Sequence, residues 1–157
     1  MTLQYNVTIP NIDQIRDAFK DPELIRVPLR EFLHKAGFTI EAEAKKRSPV
    51  DTGRLRASIG SVVDVPGARA IIGTPVEYAA FVEFGTRPHW PPVAALQPWA
   101  RRHGFPNAFL VARAIARRGT RAHPFMGPAL AHSKARITAL VGEMAMAIEK
   151  LFHRKTR

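Results

Sequence analysis

The chain has 157 residues with 24 Lys and Arg against 13 Asp and Glu, a net charge of +11, no cysteine and an apolar fraction of 46%. That length predicts one domain able to hide roughly 70% of its unfolded surface. The missing cysteines exclude disulfide scaffolds, cysteine-ligated zinc and thiol chemistry.

No uncharged apolar run reaches the roughly 18 residues of a membrane span, and Met1 to Pro10 lacks the basic flank and apolar stretch of a signal peptide. Synthesis and folding in the cytoplasm are therefore expected. From the start, Leu3, Tyr5, Val7 and Ile9 alternate with polar residues, the two-residue period of a strand that Pro10 ends. Ile12, Ile15 and Phe19 then recur at helical spacing, and Asp21-Pro22-Glu23 reads as an N-cap, a first-turn proline and an acid near the positive helix end. A longer helix is expected to start afresh at Pro28, because proline suits a first turn and disrupts a helix interior. Leu29, Phe32, Leu33, Ala36, Ile40 and Ala44 keep its apolar face, Lys45-Lys46-Arg47 suit its last turn, and Ser48-Pro49 stops it.

Beyond the turn from Ser48 to Gly53, Ile59, Val63 and Val65 read as one strand and Arg69 to Gly73 as its hairpin partner across Pro66-Gly67. The N-terminal strand is expected to join this hairpin. Val76 to Phe84 forms a short amphipathic helix ended by Gly85. The stretch from Arg87 to His123 is punctuated by Pro88, Pro91, Pro92, Pro98 and Pro106, and predicts two surface helices, Val93 to His103 and Asn107 to Arg118. Pro128 to Phe152 carries the most regular helical stripe, with Ile137, Leu140, Val141, Met144, Ile148, Leu151 and Phe152 on one face. It should pack on the sheet or on the earlier long helix. His153 to Arg157 reads as a frayed basic tail. The fold class is thus α+β: a small antiparallel sheet packed with a long central helix and a long C-terminal helix, bearing a Pro/Arg-rich helical insertion at 87–123. The pattern Gly-Thr-Arg-x-His occurs at Gly85 and again at Gly119, each time after a predicted helix, and reads as two similar helix ends.

The charge is unevenly placed. Residues 1–84 are neutral, whereas 85–142 hold nine basic side chains and no acid. Such a segment suits a polyanion, an acidic partner or open water. On Asn107 to Arg118, Ala108, Val111, Ala112 and Ile115 share one side, while Arg113 and Arg117 stand on the other with Arg121 beyond. With Arg101, Arg102 and Arg118 these are the candidate residues for facing a DNA channel or an acidic partner. No interleaved aromatic platform is expected beside them, which argues against specific nucleic-acid recognition.

Signatures of catalysis fail. G-x-S-x-G, H-E-x-x-H, the phosphate-binding loop and G-x-G-x-x-G are all missing, and the six histidines never take the spacing that places two metal ligands on one helix face. No enzyme activity, metal or cofactor is expected.

Three segments together resemble a known family. Ser48 to Ile59 (SPVDTGRLRASI) is similar to its P-V-D-T-G-x-L-R-x-S-I signature, Tyr78 to Thr86 (YAAFVEFGT) to its Y-A-x-x-V-E-F-G-T, and Pro124 to Ala129 (PFMGPA) to its P-F-L-x-P-A. This is the neck and tail-component family of long-tailed phages named for the tenth gene product of phage Hong Kong ninety-seven. The resemblance implies a non-enzymatic virion protein joining the DNA-filled head to the tail. It implies a homo-oligomeric ring, six-fold or twelve-fold, between head-closure or connector proteins and tail terminator or tail-tube proteins, with duplex DNA passing non-specifically and no membrane involved. The motif residues Pro49, Asp51, Thr52, Gly53, Leu55, Tyr78, Glu83, Gly85, Pro124 and Phe125 are expected to be architectural. Asp51 would accept backbone N–H groups at its turn, Phe125 would plug the core, and Glu83 would pair with Arg54 or Arg56. The alternative is a small basic nucleic-acid-binding protein or a toxin-like ribonuclease.

Overall fold

The computed structural model describes residues 21–155. The strand expected at Leu3 to Ile9, its pairing with the hairpin, and the helical piece at Ile12 to Phe19 lie outside these residues.

The first element, α1, spans Glu23–Arg47. Asp21 caps it as the sequence predicts, its Oδ1 accepting the Glu23 N–H at 2.9 Å. The break expected at Pro28 does not occur: one helix runs through it. The proline removes a donor, but its ring is buried where α1 meets the C-terminal helix, beside Leu140, Met144 and Ala147, so packing offsets the lost bond. At the other end the chain turns extended at Ser48, after the three cations that suit a helix C-terminus.

A short helix that the sequence reading did not foresee, α2 (Arg54–Ser58), leads into β1 (Gly60–Asp64), which pairs antiparallel with β2 (Arg69–Gly73) in the register Val62 opposite Ile71. The period of two sends Ser61, Val63, Ala70 and Ile72 to one face and Val62 and Ile71 to the other. The first face lies on α1 at Gly37, where a Cβ would come within 3.3 Å of the Ser61 Cβ, so the missing side chain permits the approach. Glu41 fastens the same contact, accepting from Ser61 Oγ at 2.7 Å and from Lys45 Nζ at 2.6 Å. Its hydrogen bonds to Lys45 and Ser61 hold the carboxyl below its ordinary pKa.

The helix α3 (Ala79–Phe84) starts three residues later than predicted, whereas α4 (Val93–Arg102) and α5 (Ala108–Arg118) come within a residue of the predicted bounds. The last helix, α6 (Met126–Lys155), takes in His153 to Lys155, correcting the expectation that the chain frays from His153. It packs antiparallel on α1: Lys155 pairs with Asp21, and Lys35 with Glu143 at 3.5 Å. Of the predicted stripe, Leu140 is buried, Ile137, Met144, Ile148, Leu151 and Phe152 are half-buried, and Val141 is exposed. The mixed α+β class is as read, with a two-stranded sheet among the described residues.

The core gathers Ala44 of α1, Leu55 of α2, Ile59, Val76, Ala79 of α3, Phe125, and Ala129 of α6. Phe125, 1% exposed, plugs it where α6 begins, as expected. Burying a side chain of this size contributes about 2–3 kcal/mol.

The two Gly-Thr echoes meet. Gly85 and Gly119 both take a left-handed φ near 70°, each ending a helix. The threonines that follow form an antiparallel bridge, Thr86 N–H donating to the Thr120 carbonyl at 3.2 Å and Thr120 N–H to the Thr86 carbonyl at 3.3 Å. Their hydroxyls lie 3.0 Å apart. A Cβ on either glycine would run into the opposite threonine's carbonyl oxygen, so glycine is required at both places. The insertion therefore leaves and re-enters the body through one clasp. A pair exchanging both backbone bonds is also what a two-residue hairpin closes. Replacing residues 87–119 by Asn-Gly should accordingly leave a cooperatively melting protein with α1 and α6 intact by circular dichroism. A non-cooperative melt would show that the insertion is part of the fold.

Candidate functional site

The insertion is built from punctuated pieces. Pro91 and Pro92 deliver the chain to α4, and α4 ends at His103 before Gly104, which takes φ 72°. Asn107 then caps α5, its Oδ1 accepting the Phe109 N–H at 2.8 Å. Small buried residues, Ala100, Ala108 and Ala112, let the two helices pack closely. Trp99 stacks on His103 and Phe105, with ring centroids 4.3 Å and 5.4 Å apart. Between this hairpin and α3 lies a groove of about 440 Å³ walled by Tyr78, Phe81, Leu96, Trp99, Val111 and Ile115. Arg121 and His123 also line it, but no carboxylate does. It can hold apolar surface, and it lacks a paired acid and base.

A second tie holds the insertion to the body. Arg102 grips Asp51 with Nε at 2.8 Å from Oδ1 and Nη2 at 2.5 Å from Oδ2. That hydrogen bonding is the main reason the Asp51 carboxyl lies below its ordinary range. Two sequence expectations are corrected here. Asp51 takes a guanidinium rather than backbone donors, since a planar fork offers it two charge-assisted bonds at once. Arg102, in turn, is engaged within its own chain. Around Asp51, Pro49 and Thr52 are exposed, Leu55 is buried in the core, and Gly53 takes a φ of 81° at the start of α2.

Glu83 corrects a third expectation. It pairs with neither Arg54 nor Arg56; the Arg56 guanidinium instead donates to the Ser48 carbonyl at 3.2 Å. The Glu83 carboxylate accepts the N–H groups of Phe125 at 2.7 Å, Met126 at 3.0 Å and Gly127 at 3.0 Å. These are donors that a helix start leaves without intrahelical partners, and the positive end of the helix favours the charge. Burial pushes the carboxyl upward, but the three backbone donors outweigh it and hold the group below its usual range. The segment after the clasp is drawn to the same place, His123 N–H donating to the Val82 carbonyl at 2.7 Å.

The remaining arginines are placed as the helical spacing implies. Arg113, Arg117, Arg118 and Arg121 are exposed and meet no carboxylate among the described residues, while Arg101 donates to Gln97 at 3.3 Å. The expectation of an arginine ridge without aromatics is corrected. Trp90, 55% exposed, meets Phe109 edge-on with centroids 5.6 Å apart, and Phe109 and Leu110 are each 45% exposed. Phe109, Arg113 and Arg117 follow at four-residue spacing on one face of α5, with Leu110 beside them and Ala108 and Ala112 buried on the opposite face. Trp90 is distant in sequence from α5, so no spacing rule pointed to it.

Residues 12–85 match the model of the family described as "Bacteriophage HK97-gp10, putative tail-component". The match takes in a little under half of the chain, and over it the chain is similar to that family. No curated protein and no solved structure matches the chain. The matched residues contain the Asp51 turn and Glu83 and stop at Gly85, where the clasp begins; the insertion and the Pro124 to Ala129 motif lie beyond them. Among the described residues no helix is long and apolar enough to cross a membrane.

Substituting Glu83 by Ala leaves the α6 donors without their acceptor and should cost about 2 kcal/mol at pH 7, with Glu83→Gln intermediate. The folded pKa lies below the ordinary value of 4.5, so this contribution is complete above that value and is lost as the pH falls through the folded one. Urea midpoints of the native and Gln forms should therefore stay apart above pH 4.5 and draw together as the pH is lowered below it.

Proposed function

We propose that the chain is a subunit of the joint between the DNA-filled head and the tail of a tailed phage. It closes as a six-fold or twelve-fold ring around the DNA passage, with head-closure or connector proteins on one side and tail terminator or tail-tube proteins on the other. The observation that carries this reading is the tail-component match over residues 12–85. The role is structural: the residues that the family motifs contribute are used to join elements, Asp51 to α4 and Glu83 to α6. The virion is its place of action.

The charge distribution supports the same reading. Nine basic side chains and no acid between Gly85 and Gly142 suit a polyanionic surrounding, either passing duplex or an acidic neighbour. Modest attraction per arginine suffices, because many copies act together in a ring. Mass spectrometry of purified particles should find the chain in multiple copies per virion; its restriction to infected cells would contradict the proposal.

Reversing Arg113 and Arg117 to Glu should leave melting unchanged, because both side chains stand opposite the buried face of α5. Joined, DNA-filled particles should fall by about tenfold or more. Normal yields would mean that these arginines are a solvated face.

A further inference from the structure

We infer that the outer face of α5, with Trp90 against it, is a protein docking site whose occupant is an acidic segment carrying apolar side chains on a neighbouring virion protein. This rests on the structural role proposed above and narrows its two polyanions to one.

The composition of the face decides between them. A surface that lets duplex slide needs diffuse positive charge, because the duplex presents phosphates outward and keeps its bases stacked inside. Here large carbon surfaces adjoin the arginines: Trp90, Phe109 and Leu110 stand about half exposed at the head of the Arg113 and Arg117 ridge. Phosphate oxygens would leave these three side chains unsatisfied, and a duplex cannot offer them a free base to stack on. Tryptophan and arginine, with other aromatics, are the residues that anchor protein interfaces, and a half-exposed Trp-Phe pair beside a leucine is preformed for that use. Charge complementarity then sets the sign of the partner. Arg113, Arg117 and Arg118 have no carboxylate partner among the described residues, and no acid occurs between Gly85 and Gly142 to supply one. The occupant must bring its own carboxylates, spaced to meet Arg113 and Arg117 while an aliphatic or aromatic side chain covers Leu110 and Trp90.

The face also has the rigidity a docking site needs. Its helix is capped by Asn107, its hairpin is clasped at Thr86 and Thr120, and its far end is held by Arg102 on Asp51.

The test places a photoreactive benzoylphenylalanine at position 110 and irradiates purified particles. The expected product joins this chain to a different virion protein, through a peptide with at least two acids within a few residues of an aliphatic or aromatic side chain. Cross-linking to DNA, to another copy of this chain, or to nothing above the level of a control label at Ile25 overturns the docking site and leaves the structural role standing. Absence of the chain from particles overturns that role and the docking site with it. As a second readout, Leu110→Glu should keep its melting temperature and lower joined particles by about tenfold, the effect of losing one interface anchor. Unchanged yields would count against the site.

Discussion

Three backbone N–H groups at the start of α6 have no partner within their own helix, and one carboxylate from α3, Glu83, takes all of them. The contact fixes more than a helix end. Phe125, whose own N–H is one of the three, is thereby set as the plug between α1, α2 and α6, and the direction in which α6 leaves the plug determines how it lies along α1. The sheet reaches the same core through Ile72, so a single seat organises the described elements.

That arrangement lets the chain carry the two helices α4 and α5 outside the core without moving α6. Both Gly-Thr pairs sit next to the seat, Gly85 two residues after Glu83 and Thr120 five before Phe125, and their bridge returns the chain to where it left. Whatever length lies between them, α6 begins at the same place. Asp51, in a loop close to the core, provides a second anchor, so the insertion is held as a firm projection. The body supplies position, and the projection supplies contact chemistry.

Much of this was legible in the sequence where local rules apply. Asn107 and Gly119 bound α5 because capping and left-handed ends are written in the residues themselves, and the α6 stripe follows from a period of 3.6. Where partners are distant, local rules failed. Glu83 in an apolar run correctly signalled a buried need, but a helix start 42 residues away looks no different from a nearby arginine until the chain folds. The same holds for Asp51 and Arg102, and for Trp90 against Phe109. The Gly-Thr echo was visible as two helix ends, yet that the two ends pair could not be read from either. Pro28 misled for the opposite reason: a strong local rule was overridden by burial of its ring between α1 and α6.

The seat of α6 on Glu83 is tested most directly by amide hydrogen exchange, read residue by residue at Phe125, Met126 and Gly127 in the intact chain. The account predicts that all three are protected near neutral pH, although the first turn of a helix ordinarily exchanges freely, and that protection is lost together in the Glu83→Ala form while amides in the middle of α6 stay slow. Free exchange of these three amides in the native protein, or protection that survives removal of the carboxylate, would contradict it.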